Sequence, residues 1–578
     1  MGWKADQVVD TDVLIIGSGG TGLRAAIEAR RYGVQVIVID KGVIGMNSNT
    51  RYSGGGLKAA LPGILETRYT TIYATPEEHF QAALLHGEYL NDQELIETLT
   101  LEAPGRVLEL QEFGVTTFRA MYYHIQYPHG TGLVAPQMAY AKKLGCALRP
   151  GVVPTSLVVE GDRVAGCIGF NTHTERPVLL RAKAVILATG GAGEIYERND
   201  TTATTTGDGF SLAYRAGLQL RDMEIVQFEP YVQAEPGLPM LDRHECEAEF
   251  FGILRNKDGE EFLKKYLPPR QEAVDSFEKQ FGMPLTDIRE RVARAMVSEV
   301  HAGRGDNGAV LFDLTHVPPE VWGADIASQY TKSVLMRNGF DPAKKPIHVL
   351  PGAICNLGGI AINAHCETAI AGLYAAGEVA GGVHGAARLG GDALVETVVY
   401  GARAGKHAAL HAMRTPAPGA GAAQLEDSKK EWLDILGRPA VESCAAGEIK
   451  KKIKKLMWDK AGPLRDGAGL RLARDELDRL AERDAPRMYA PTMRRLREVY
   501  EVRSMLLTAR LVVASALART ESRGAHYRLD FPYRDDRNWL RNIFVQGNEA
   551  DIGITTRPIR LLRHKPGPVS KFGLEVRA

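Results

Sequence analysis

Val13-Leu14-Ile15-Ile16 runs straight into Gly17-Ser18-Gly19-Gly20-Thr21-Gly22, and a helical pattern (Leu23, Ala25, Ala26, Ala29) follows at once. A buried strand, a tight turn and a helix start, in that order, commit this part of the chain to an α/β fold. The glycines are spaced G-x-G-x-x-G. Gly17 permits the turn, Gly19 lets backbone approach a pyrophosphate, and Gly22 lets the helix pack on the strand. The helix N-terminus offers unpaired N–H groups and partial positive charge to phosphates. A second strand, Val34–Ile39, ends at Asp40, eighteen residues past Gly22. A carboxylate at that distance accepts hydrogen bonds from a ribose. The glycines alone would be an ordinary turn; between strand and helix, with Asp40 in place, they read as a dinucleotide site.

The chain's 578 residues exceed one core, so several domains are expected. Lys+Arg 71 and Asp+Glu 70 nearly cancel, which gives no electrostatic footprint for nucleic acid or for an anionic membrane. The polar start Met1-Gly-Trp-Lys-Ala-Asp-Gln leads directly into the first strand and is unlike a signal peptide. No apolar run is of bilayer length, so no direct membrane span is expected. The six cysteines are scattered without C-x-x-C, which argues against iron–sulfur or zinc ligation in this chain and for a reducing, cytoplasmic setting.

Glycine clusters recur along the chain: Gly54-Gly55-Gly56, Gly190-Gly191, Gly207-Asp208-Gly209 and Gly381 to Gly391. They suggest backbone wrapped closely around a large ligand. Residues 152–169 alternate around Gly161-Asp162 and predict a hairpin; Ala184–Leu187 is a further strand running into glycines. Asp208 stands where it would cap a helix or touch a cofactor. After about residue 231 the chain is more charged and punctuated by proline, as in an inserted domain. The boundaries are a dinucleotide-binding domain over 1–234 and 351–414, an insertion over 235–350, a linker over 415–424, and a helical domain with an irregular tail over 425–578. The basic run Lys450 to Lys455 reads as a solvated helix face.

These blocks, with Asp222–Phe228, Gly372–Glu378, His384–Gly390 and Glu521–His526, resemble in order the flavoprotein family of fumarate reductase and succinate dehydrogenase, a superfamily shared with L-aspartate oxidase and adenylylsulfate reductase. The resemblance covers nearly the whole chain and implies an α/β fold: a Rossmann-like FAD-binding domain, an inserted α+β capping domain and a C-terminal helical domain. It implies FAD, with Gly17, Gly19 and Gly22 toward the pyrophosphate, Asp40 on the adenosine ribose, Asp208 near the flavin's linker and Glu378 on the ribityl hydroxyls. Ala393 and Leu394, at a helix start, face the pyrimidine side of the ring, where a helix N-terminus stabilises negative charge. Gly20, Lys41, Ser48, Thr50, Ser53, Gly54, Gly55, Ala188, Thr189 and Gly190 fall along the same cofactor. Members with covalent flavin carry a histidine in the loop matching 47–56; none is present here, so the FAD is expected to be non-covalent.

For the reaction, the resemblance implies two arginines and two histidines gripping a dicarboxylate. Arg289 falls on the proton-delivering arginine and Arg388 on the carboxylate-gripping one, a role suited to guanidinium's planar fork. A bland alternative puts Arg289 on an exposed helix face. Both histidines are replaced: Gln227-Phe228-Glu229-Pro230 puts Glu229 at one position, and Ile354-Cys355-Asn356 puts Ile354 at the other. Glu229 would repel a carboxylate unless it is protonated, meets a donor on the substrate, or pairs with Arg289 or Arg388. His124, His129, His244, His301 and His384 are candidate replacements, His384 first. No metal is expected. The expected activity is hydride transfer between flavin N5 and an organic acid. Electrons would be exchanged with an iron–sulfur (ferredoxin-like) subunit, which would also provide any membrane association. An adenylylsulfate-reductase-like enzyme, an L-aspartate oxidase and a non-catalytic electron-transfer subunit stand as alternatives.

Overall fold

The computed structural model describes residues 6–53, 55–61, 73, 75–116, 125–126, 131–238, 252–266, 289–324, 326–563 and 576–577. Strand β1 (Gln7–Ile16) is the spine of the first layer, and Val13–Ile16 are buried. An unbroken apolar run is what a strand covered on both faces requires. Helix α1 (Gly20–Arg31), then β2 (Val36–Asp40), β3 (Ala147–Pro150), β4 (Val152–Glu160), β5 (Arg163–Asn171) and β6 (Arg176–Leu187) follow. Their order across the sheet is β3-β2-β1-β6-β5-β4. β1 runs parallel to β2 and β6, whereas β6, β5 and β4 are antiparallel. The predicted hairpin is therefore the far end of the nucleotide-binding sheet rather than a separate ornament.

Helix α2 (Asp208–Arg215) leads to β7 (Leu220–Arg221) and β8 (Val226–Gln233). Helix α3 (Arg289–His301) and β9 (Ile347–Asn356) come next. β8, β9, Val310–Asp313 and Ile253–Arg255 form a second sheet. It carries its own core of Tyr231, Leu254, Met296, Phe312, Trp322 and Val349. The insertion expected at 235–350 thus hangs from β8 and β9, which begin and end outside those bounds.

Strand β10 (Leu373–Ala375) extends the first sheet beside β6. Helix α4 (Asp392–Ala412) then packs along α1. The approach is close: a Cβ on Gly401 would lie 2.9 Å from Thr21 O, and one on Gly405 2.3 Å from Ala25 O. Helices α5 (Ala422–Gly437), α6 (Ala446–Ala461), α7 (Gly467–Arg479) and α8 (Met493–Ala518) form the expected C-terminal group, α5 starting inside the expected linker. The basic run lies on α6, and two of its members, Lys450 and Lys454, reach Glu194 at 2.7 and 3.0 Å rather than only solvent.

The tail is not irregular throughout. β11 (Arg541–Gly547) and β12 (Ile552–Pro558) form a hairpin, and β11 pairs with β7. The C-terminal region is thereby stitched into a sheet of the nucleotide-binding part. Among the described residues no helix is long and apolar enough to cross a membrane, and no group of three or more His, Cys, Asp or Glu is placed to hold a metal ion.

Candidate active site

A single cleft of about 1100 Å³ runs from the first turn to the legs of the insertion. At one end Gly17, Ser18, Gly19 and Gly20 line it. Gly17 has φ +110°, and a Cβ there would fall 2.2 Å from Ala188 O. A Cβ on Gly22 would fall 2.0 Å from Gly17 O. The turn is closed on itself in a way only glycine allows. α1 begins at this turn with no side-chain cap and no acid in its first turn, so its first N–H groups remain for an anion. Asp40 lines the cleft as expected. Ser18 donates to its Oδ2 from N and Oγ (3.2 and 2.5 Å), and Gly42 N–H donates to Oδ1 at 2.8 Å. The carboxylate is held in place with acceptor capacity left on Oδ1 for a ribose hydroxyl.

Ser48, Thr50, Ser53, Gly55, Ala188, Thr189 and Gly190 line the cleft, as do Glu378, Arg388, Ala393 and Leu394. Gly54, His124, His129 and His244 lie outside the described residues. Gly22 does not reach the cleft; it serves the helix–strand contact. Lys41 and Asp208 are also turned elsewhere. Lys41 Nζ binds Asp208 Oδ2 at 2.6 Å and Glu501 Oε1 at 2.8 Å. Burial pulls the lysine's pKa down, yet Asp208 and Glu501 outweigh it and hold it above its ordinary value. These buried ion pairs tie the end of β2 and the start of α2 to α8.

Several wall residues carried no signal in the sequence motifs. Asn47, Asn49 and the hydroxyl run Thr201 to Thr205 line the cleft. Asn49 Nδ2 donates to Glu378 Oε2 at 3.5 Å, and its Oδ1 accepts Thr202 N–H at 3.0 Å. Six hydroxyl or small residues in a row beside glycine were the available clue. Ser48 Oγ and Thr189 Oγ1 are buried without a hydrogen-bond partner. Buried polar atoms need partners, and the hydroxyls and phosphates of an elongated dinucleotide would supply them here. The wall therefore fits FAD.

Glu378 is half-buried and lines the cleft. Burial pushes its carboxyl up to about 7, Asn356 N–H pulls it down, and Glu396 adds to the rise. A folded-state pKa above the unfolded one gives a contribution that is complete below about pH 4.5 and lost as pH rises through about 7. We expect FAD-free protein to lose at most about 3 kcal/mol over that window through this residue. Glu378→Gln should lose this dependence in melting experiments across the window. A wild-type-to-variant difference that stays constant with pH would contradict the assignment.

At the other end stand Glu229, Gln233, Arg289, Ile354, Cys355 and Arg388. Arg289 opens α3 and is 2% exposed, so the exposed-face alternative is excluded. Its Nη1 lies 3.3 Å from Glu229 Oε2, the pairing that the sequence left open. Arg388 Nη1 donates to Leu389 O at 3.2 Å, and its buried Nε has no acceptor. Gln227 Nε2 donates to Glu290 Oε1 at 2.6 Å and to Arg388 O at 3.1 Å. One side chain thus sets the spacing of the two arginine-bearing segments. Burial raises the Glu290 carboxyl above its usual range, against the pull of Arg289.

His384 does not line the cleft. Its Nε2 meets Glu396 Oε2 at 3.0 Å, and Glu396 is the group on the wall. The His384 ring is thus turned to Glu396 rather than to the cleft. His301 is exposed at the end of α3 and also lies off this cleft. At the start of α4, His79 Nε2 meets Asp392 Oδ1 at 2.9 Å. That contact anchors the helix whose N-terminus, with Gly390 and Gly391, faces the cleft.

A cleft of about 1100 Å³ lined both by the glycine turn and by two buried arginines is the kind of site a flavin-dependent oxidoreductase needs. Sequence comparison agrees: residues 12–394 match the FAD binding domain family, and residues 450–570 match the fumarate reductase flavoprotein C-terminal family. The chain belongs to the FAD-binding flavoprotein family of fumarate reductase and succinate dehydrogenase. It is 33% identical to a subunit of the fumarate reductase (CoM/CoB) of Methanothermobacter marburgensis, over 93% of this chain and 97% of that one. It is 31% identical to the succinate dehydrogenase flavoprotein subunit of Coxiella burnetii, over 96% and 97%. A mutant FrdA of E. coli quinol fumarate reductase superposes with TM-score 0.83 at 26% identity, over 97% and 98% of the two chains.

Proposed function

We propose that the chain is a catalytic flavoprotein subunit for the C=C/CH–CH couple of an organic acid, with electrons exchanged with an iron–sulfur partner. The observation that carries this is the placement of Arg289 and Arg388 in one cleft end, beside the start of α4. Bound FAD would supply hydride exchange. Arg388 grips a carboxylate with the buried Nε edge that no protein acceptor fills. Arg289 holds a proton on its guanidinium, kept charged and oriented by Glu229. Gln227 fixes the distance between them, and the insertion above limits water. Named relatives are themselves subunits, which supports a partner that carries the electrons and any membrane attachment.

The test is anaerobic stopped-flow mixing of the reduced holoprotein with a panel of enoic acids. Reoxidation by at least one enoate is expected. Reoxidation by adenylylsulfate alone would move the chain to sulfur chemistry, and peroxide formation from L-aspartate and O2, read in a separate aerobic assay of the oxidised holoprotein, to the oxidase. Failure with every acceptor would leave an electron-transfer subunit without its own substrate.

A further inference from the structure

Helix α4 opens on an acid that does not face the cleft. Gly390, Gly391, Ala393 and Leu394 line the cleft, but Asp392 between them does not. Its carboxylate is turned to His79, is 1% exposed, and has Oδ1 2.9 Å from His79 Nε2. His79 comes from the helix Pro76–His86 and is fully buried. The Tyr73 ring stacks on it, centroids 4.9 Å apart and 6° from parallel.

Two buried atoms of this pair have no hydrogen-bond partner among the described residues: His79 Nδ1 and Asp392 Oδ2. A proton on Nδ1 would find no acceptor, and an unmet buried donor is costly. That disfavours a doubly protonated ring. It equally disfavours a carboxylic acid donating to Nε2, because the neutral ring would then carry its proton on Nδ1. The remaining arrangement is an Nε2–H imidazole donating to a carboxylate, which leaves one negative charge on the pair. The first turn of α4 accommodates that charge, since its N–H groups supply partial positive charge. The carboxylate in turn cancels part of the positive potential that the same helix start presents to the cleft. Consecutive Cα atoms are about 3.8 Å apart, so the acid lies one residue from the wall on either side.

We infer that the His79–Asp392 pair restrains flavin reduction: Asp392, held by His79, sets a negative charge behind the ring and keeps the potential of bound FAD below what the helix start alone would give. The inference rests on the proposed reading that the ring lies at the start of α4. Asp392 and His79 are positioning residues, since neither touches the reacting atoms. A lowered potential favours giving hydride to an unsaturated acid over withdrawing it from a saturated one.

The experiment equilibrates holoprotein with a reference dye under slow anaerobic reduction and reads the flavin's midpoint potential. It is run at alkaline pH, above the Glu378 carboxyl's value of about 7, so that proton uptake there cannot offset the change. Glu378, Arg388 and Glu396 also line the cleft and are the same in every protein compared. Asp392→Asn removes the charge at nearly constant shape. The potential should rise, the reduced-to-oxidised ratio at one dye poise increasing about tenfold or more, which is about 30 mV for a two-electron couple. His79→Gln still donates to the carboxylate and should keep the wild-type potential. A fall with His79→Gln would show that the imidazole carries an opposing charge, and would overturn the inference. Ala393→Asp tests the placement of the ring, because residue 393 lines the cleft. Its carboxylate should lower the potential or expel the flavin. If it does so while Asp392→Asn leaves the potential unchanged or lower, the inference falls and the placement stands. If neither substitution changes the potential and both keep FAD, the placement falls as well. Should Asp392→Asn purify without flavin, Asp392→Ser is read by the same criteria. Loss of flavin from both would show that the acid holds the cofactor instead of tuning it, and would overturn the inference.

Discussion

Arg289→Ala should lose about 10²–10⁴ in turnover while FAD stays bound. That is the range a positioned proton donor supplies. Arg289 opens α3 and pairs with Glu229 of β8, elements other than the β1–α1 turn, so its loss should leave the dinucleotide wall in place. Because the proton moves only in the transition state, kcat and kcat/KM should fall together. Arg388→Ala should instead raise KM strongly, since the carboxylate grip proposed for it would act on the ground state as well. An Arg289→Ala protein that turns over at the wild-type rate would show that α3 carries no proton-donating group. Measuring flavin content beside the rate separates chemistry from loss of the holoprotein.

Gly17→Val should abolish FAD retention. The position has φ +110°, and its Cβ would fall 2.2 Å from the Ala188 carbonyl oxygen, a backbone atom that no side-chain rotation can move aside. Left-handed strain and overpacking together cost about 2–6 kcal/mol. The turn would open, and FAD affinity should drop by more than about a hundredfold. The readout is the flavin-to-protein ratio after gel filtration, with a melting curve to show whether the fold persists. In wild-type protein, acid denaturation should release the flavin into the supernatant, since loop 47–56 has no histidine to hold it. A variant that keeps one flavin per chain would show that this turn does not hold the phosphates; flavin in the wild-type pellet would remove the non-covalent reading.

The nucleotide half was legible because its signals are local. Strand, glycine turn, helix and Asp40 lie within one short stretch, and each residue's role follows from backbone geometry there. Lys41 and Asp208 show the limit: both sit in glycine-flanked motifs, but their direction is set by Glu501 on α8, hundreds of residues away. His384 is the same case, its ring engaged by Glu396 on the buried face of α4. The hairpin β11–β12 lay inside a tail that reads as irregular, because the charged, proline-containing stretch Phe531–Trp539 precedes it and its apolar runs are short. Glu229 was legible as a departure, and only the fold could show which cation answers it.

The close approach of α1 and α4 through Gly401 and Gly405 has a consequence for cofactor choice. Backbone set almost against backbone leaves no soft layer that could slide. The starts of the two helices therefore behave like the fixed jaws of a caliper, which on the proposed reading are set one for phosphate and the other for the ring. A mononucleotide flavin spans only part of that gauge and would forfeit the adenosine end, so the chain measures the length of what it accepts before any side chain tests its chemistry.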